Sequence, residues 1–220
     1  MKKKLLSVLL SLCMVCMLLP TTALAETETP HTHCICGATH SDVGDHNSAV
    51  ALTWLAVNDS NASGKIENAE LNAQVTAGTS ETPKYYYLTK DVELSYTWTV
   101  STGTTAVLCL NGHTIKTTNN GYDAITVQSG ATFTLTDCKT GSEQGKITHD
   151  EGKDGRGVYV YDGGTFNMYG GNITYNTFSY SSGKGGGVYV NGRGVYTRQA
   201  PSFCNRPLCS WCRSAPSSFR

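Results

Sequence analysis

Between Tyr85 and Gly192, apolar and polar residues alternate in short runs (YYYLT, YTWTV, AVLCL, AITV, ATFTLT, GVYVY and TFNMY) separated by glycine, asparagine and aspartate. Runs of this length with every second residue apolar predict β-strands with one buried face. Trp98-Thr99-Val100, Ile125-Thr126-Val127, Val158-Tyr159-Val160 and Val188-Tyr189-Val190 share an in-out-in pattern, and their starts lie 27, 33 and 30 residues apart. A second column aligns Leu108 and Leu110 with Phe133 and Leu135, then with Phe166 and Met168; a third holds Ile115, Ile147 and Ile173. Glycine recurs between the first two columns at Gly103, Gly130 and Gly163. Three strands per repeat of about 30 residues describe the coil of a parallel β-solenoid, in which each coil buries its apolar face only by stacking on the next. An antiparallel sandwich would not need matching residues at matching places. The pattern therefore predicts an all-β parallel β-helix of about four coils over residues 85–192. This alignment sets Thr134 above Cys109, which leaves a Cys109–Cys138 disulfide open but disfavoured.

The flanks have other characters. Residues 1–25 carry Lys2, Lys3 and Lys4, an apolar run from Leu5 to Leu19, and Ala23-Leu24-Ala25. That order predicts a secretory signal peptide cleaved before Glu26, and the apolar run is shorter than a membrane span needs. The expected location is extracellular, secreted or cell-wall-associated, with no transmembrane segment after cleavage. Residues 26–50 form a Cys/His-rich leader. Residues 51–84 are expected to be a linker or an N-terminal cap, and the apolar patch Val50, Leu52, Trp54, Leu55 and Val57 that crosses its start a strand or a short helix. After Gly192 the repeat is expected to stop: residues 193–220 hold five of the six arginines and three of the six prolines, with Cys204, Cys209 and Cys212 and no acidic residue. This tail reads as a frameshifted or chimeric end, which would leave the solenoid truncated.

Charge changes the picture only when divided among these pieces. The chain holds 17 basic and 17 acidic residues, a net charge of zero. Residues 26–192 carry all 17 acidic residues against 9 basic ones. An acidic folded part argues against nucleic-acid binding.

The segments YYYLTKDVELSYTWTV, LCLNGHTI, GATFTLTDC with GKITH, and GVYVYDGGTFNMYGGNITYN resemble right-handed parallel β-helix repeats of the pectin-lyase-like class. They are most similar to those of large secreted surface proteins of Gram-positive gut bacteria. The resemblance covers about residues 31–192, and LNGHTI and GTFNMYGGNIT are its most specific pieces. It implies a fold and a surface location, since such proteins mostly lack an assigned activity.

Candidate chemistry is sparse. His31, His33, Cys34, Cys36, His40 and His46 offer the imidazole and thiolate donors of a zinc site, although Cys-x-Cys is tighter than the usual ligand spacing. A leader that binds nothing specific is the equal alternative. Lyases and hydrolases on this fold use clustered carboxylates with a basic residue, and the chain offers Asp137, Asp150, Glu151, Asp154, Asp162 and Arg156. Their spacing matches no catalytic pattern, so no catalytic residue is assigned and a solvated acidic loop is the simpler account. Tyr159 and Tyr189 are expected to point outward one coil apart, with Tyr161 at the strand end. Such rings make a platform for sugars, or simply reflect tyrosine's β-propensity. The expected function is a non-enzymatic, adhesin-type scaffold whose partners are polysaccharides or host-surface glycans. The alternative is a truncated carbohydrate-active enzyme, a polysaccharide lyase or hydrolase.

Overall fold

The computed structural model describes residues 54–76, 78–139, 141–179 and 185–198. All of them fall in one unit of the chain; the other, Met1–His31, lies outside them. The signal peptide, the Cys/His leader with its six candidate zinc ligands, and the tail beyond Arg198 are likewise outside the described residues.

Among the described residues, fifteen strands form three parallel sheets wound into a β-solenoid of about five turns. The first sheet stacks β1 (Trp54–Val57), β3 (Lys84–Leu88), β6 (Thr105–Cys109), β9 (Thr132–Thr136), β12 (Thr165–Met168) and β15 (Val195–Arg198). The second stacks β2 (Ile66–Glu67), β4 (Val92–Leu94), β7 (Thr114–Thr117), β10 (Lys146–His149) and β13 (Asn172–Ile173). The third holds β5 (Trp98–Val100), β8 (Ile125–Val127), β11 (Val158–Val160) and β14 (Val188–Val190). Chain order visits the sheets in rotation, so each neighbouring strand in a sheet comes from the next coil.

The inward residues form the expected ladders. Trp98, Ile125, Val158 and Val188 stand in register, as do Val100, Val127, Val160 and Val190. The isoleucine column runs Ile66, Val92, Ile115, Ile147, Ile173. In the first sheet Phe133 stacks on Phe166 (centroids 5.5 Å apart, planes 9°), Phe166 stacks on Tyr196, and Trp98 meets Phe133 edge-on. Gly103, Gly130 and Gly163 all turn with positive φ, a conformation that costs glycine little.

Three details differ from the sequence pattern. The first-sheet register is shifted by two: Ala106 lies opposite Phe133, Leu108 opposite Leu135, and Cys109 opposite Thr136 rather than Thr134. A coil also precedes Tyr85, in which β1 pairs with β3, β2 pairs with β4, and the helix α1 (Asn68–Gln74) follows β2 where later coils place a third-sheet strand. Finally, the ladder does not stop at Gly192, because Val195, Tyr196, Thr197 and Arg198 pair with Thr165, Phe166, Asn167 and Met168.

Glu70 secures the first coil. One carboxylate oxygen accepts the Ser60 amide (2.7 Å), the Ser60 hydroxyl (2.6 Å) and the Asn61 amide (3.1 Å); the other accepts the Glu67 amide at the start of α1. The Ser60 hydroxyl foremost, and then these amides, hold the carboxyl below its usual range. A lowered folded value means the stabilisation is present above the ordinary carboxylate range and is lost as pH falls through the folded value. Glu70→Gln is expected to cost about 1–2 kcal/mol at neutral pH. In thermal melts the gap between variant and parent should close as the pH drops below about 4.

Candidate functional site

With Val158 and Val160 fully buried, alternation turns Tyr159 outward, and parallel register sets Tyr189 over it in the next coil. The two rings lie 5.3 Å apart at 34°. Tyr161, one step past the end of β11, brings its ring to 4.4 Å from that of Tyr159 and stays 38% exposed. The three tyrosines singled out from the sequence are thus contiguous and span two coils.

One side chain beside them was not foreseen in this role. The Arg156 guanidinium lies 4.0 Å from the centre of the Tyr159 ring, 4.5 Å from Phe178 and 5.2 Å from Tyr189. It is held by Asp123 from the previous coil through paired bonds, Nε to Oδ1 at 2.8 Å and Nη2 to Oδ2 at 2.9 Å, while the Arg156 amide donates to the same Oδ1. Both side chains are largely shielded, at 14% and 12% exposure. A cation over an aromatic face is attractive, the more so when desolvated. Arg156 therefore fixes Tyr159 from one side and covers part of that ring, leaving Tyr161 as the most open of the three. The sequence did carry one signal for this: Arg156 is the only arginine before residue 193. Asp123, 33 residues back, carried another, since Ile125 and Val158 are spaced alike, whereas Phe178, 22 residues on, gave none.

Apart from this run, a concavity of about 900 Å³ crosses the outer face of the second sheet and is lined by Lys65, Glu93, Lys116, Lys146, Asp150 and Tyr175 among others. It carries four lysines and four carboxylates, of which Lys65 pairs with Glu93 at 2.8 Å and Lys116 with Asp150 at 2.9 Å. His149 closes one side, its ring bridging Asn176 Oδ1 and the Tyr122 carbonyl.

Most of the carboxylates weighed as catalytic candidates tie coils together. Asp137 accepts the amides of Gly112, Lys139 and Gly145. Burial nevertheless pushes its carboxyl above the usual range, against the pull of those amides. Asp154 accepts the Ser179 amide through both oxygens. Asp162 accepts the Arg193 amide at 2.6 Å, which holds its carboxyl below the usual range. Glu151 sits in an exposed turn on the rim of the groove.

No known protein family, curated protein or solved structure matches the chain. Among the described residues, no helix is long and apolar enough to cross a membrane.

Proposed function

We propose that the chain is a secreted or cell-surface β-helix scaffold of adhesin type that meets glycans on the outer face of its third sheet. The observation that carries this is the contiguous run of Tyr161, Tyr159 and Tyr189 across two coils, with Tyr161 open to solvent. Tyrosines held by a rigid sheet offer apolar area at low entropic cost and a hydroxyl at the rim, a combination suited to the faces of sugar rings. Arg156 and Asp123 keep the central ring from turning. The resemblance of the repeats to pectin-lyase-like surface proteins of Gram-positive gut bacteria supports export and surface display, as does the signal-like N-terminus. Since Asp137, Asp154 and Asp162 are engaged with backbone amides, scaffolding accounts for them without catalysis.

A second reading, a polysaccharide lyase, would place its substrate in the groove on the second sheet, whose lining carries four lysines and four carboxylates. A glycan panel separates the two. Tyr161→Ala and Tyr189→Ala are expected to reduce bound signal at least tenfold, about 1.4 kcal/mol per site, while Tyr96→Ala, an exposed tyrosine of an earlier coil, leaves it unchanged. Silence across the panel would sink the glycan role. Calcium-dependent release of unsaturated uronides from pectin or a glycosaminoglycan would establish the enzyme instead.

A further inference from the structure

Cys109 ends β6 fully buried, and Cys138 lies in the turn after β9, one coil further on. Both are thiols in this structure. Their sulfurs and a carboxylate oxygen of Asp137 all lie within 4.8 Å of one another. The register explains the meeting: Cys109 is opposite Thr136, the Leu110 amide donates to the Thr136 carbonyl, and the chain turns at Asp137 so that Cys138 comes back towards Cys109.

We propose that Cys109 and Cys138 are a redox pair that closes into a disulfide joining two successive coils. A metal site fits this cluster less well. Both oxygens of Asp137 already accept backbone amides, and Asn111 Oδ1 accepts from Cys138 Sγ at 3.2 Å. Two sulfurs alone do not complete a tetrahedral ion. A disulfide needs only the sulfurs, brought from within 4.8 Å to about 2.05 Å, and Cys138 lies outside the strand, where its turn can supply the movement.

The two thiols differ in access, which sets the order of steps. Cys138 is partly exposed and Cys109 is not. The Cys138 thiol loses its proton to solvent and attacks a small disulfide such as oxidised glutathione, forming a mixed disulfide and releasing one glutathione thiolate. Cys109 Sγ then attacks Cys138 Sγ, its proton passing to the departing glutathione sulfur. The new S–S bond forms as the second glutathione leaves, so two protein thiols are oxidised and one glutathione disulfide is reduced. Burial of Cys109 makes the second step the slow one. The bond encloses β7, β8 and β9, one whole turn of the solenoid, and staples its end to its beginning.

The test uses the full chain, purified reduced, incubated with oxidised glutathione, alkylated and cut with trypsin without reduction. Cleavage after Lys90, Lys116 and Lys139 places Cys109 in the peptide Asp91–Lys116 and Cys138 in Thr117–Lys139, each with a single cysteine. The expected result is that these two peptides are recovered joined, preceded in time by a glutathione adduct on Cys138 alone. Cys109→Ser should stop at that adduct, and Cys138→Ser should leave Cys109 unmodified. A melting temperature higher in the oxidised parent than in the reduced one is the second expected readout. Recovery of both peptides unlinked, or of either linked to another cysteine, would overturn the proposal.

Discussion

Phe133→Ala is expected to destabilise the solenoid by about 3–5 kcal/mol, the range for removing a buried aromatic from a packed core. The Phe133 ring is fully buried, stacked on Phe166 on one side and meeting the edge of Trp98 on another. The Phe166 ring is in turn stacked on Tyr196. Deleting one ring from such a column removes dispersion contacts on two coils at once, because each coil's stability is largely its interface with its neighbours. Domains of this size are stable by only about 5–15 kcal/mol, so the loss is a large share of the whole. A fall in melting temperature of roughly 10 °C or more should follow. Phe133→Leu, which fills most of the space, should cost less than about half as much. If both variants melted with the parent, the aromatic column would not be part of the folded chain.

Asp123→Ala should have a comparable effect for a different reason. It strands the Arg156 guanidinium, only 14% exposed, between Tyr159, Phe178 and Tyr189 without its carboxylate. Leaving a shielded charge unpaired costs about 3–5 kcal/mol where the site cannot admit water, and less where it can. Replacing both partners, Asp123→Ala with Arg156→Met, should recover part of that loss, because no charge then remains to be satisfied. Chemical denaturation of the single and double variants measures the coupling directly. Additive losses would mean that the pair does not hold the ring cluster. The single variant should also weaken the proposed glycan binding at Tyr161 and Tyr189, since the cation over the central ring is no longer held by its carboxylate.

Why some of this was legible in the sequence and some was not has physical causes. The third-sheet ladder was readable because Trp98, Val100 and their successors alternate with polar or outward residues, and a slip of one residue would invert every side chain. That same alternation says nothing against a slip of two. Leu108 and Leu110 match Phe133 and Leu135 in spacing, so the pattern could not show that Ala106 is the small residue opposite Phe133 and that Leu110 lies beyond the strand. The first coil was hidden because β2 has two residues and a helix replaces its third strand. The last strand was hidden by its turn. Arg193 stands one residue after Gly192, where earlier coils have Gly103, Gly130 and Gly163, so the positive φ moves back to Gly192. A side chain at Gly192 would meet the Asp162 carboxylate at 2.6 Å.

The tyrosine run could be foreseen once Tyr159 and Tyr189 were put in register, because alternation alone fixes their direction. Its environment could be foreseen only in part. Asp123 and Arg156 each stand two residues before a third-sheet strand, 33 residues apart like Ile125 and Val158, so the repeat sets them side by side; only Phe178, from a loop, has no periodicity linking it to the cluster. The carboxylates misled in the opposite sense. Asp137, Asp154 and Asp162 look like free acidic groups in a polar stretch, and only the stacking of coils places backbone amides against them.

Everything above depends on successive coils pairing in parallel with Thr126, Tyr159 and Tyr189 side by side. Proton–proton contacts measured by nuclear magnetic resonance on labelled protein test that most directly. The account predicts amide-to-Hα contacts linking Tyr159 with both Thr126 and Tyr189, continued along each ladder of the three sheets, with no strong Hα–Hα contact between neighbouring strands. Strong Hα–Hα contacts between sequence-adjacent strands, the mark of an antiparallel sandwich, would contradict it.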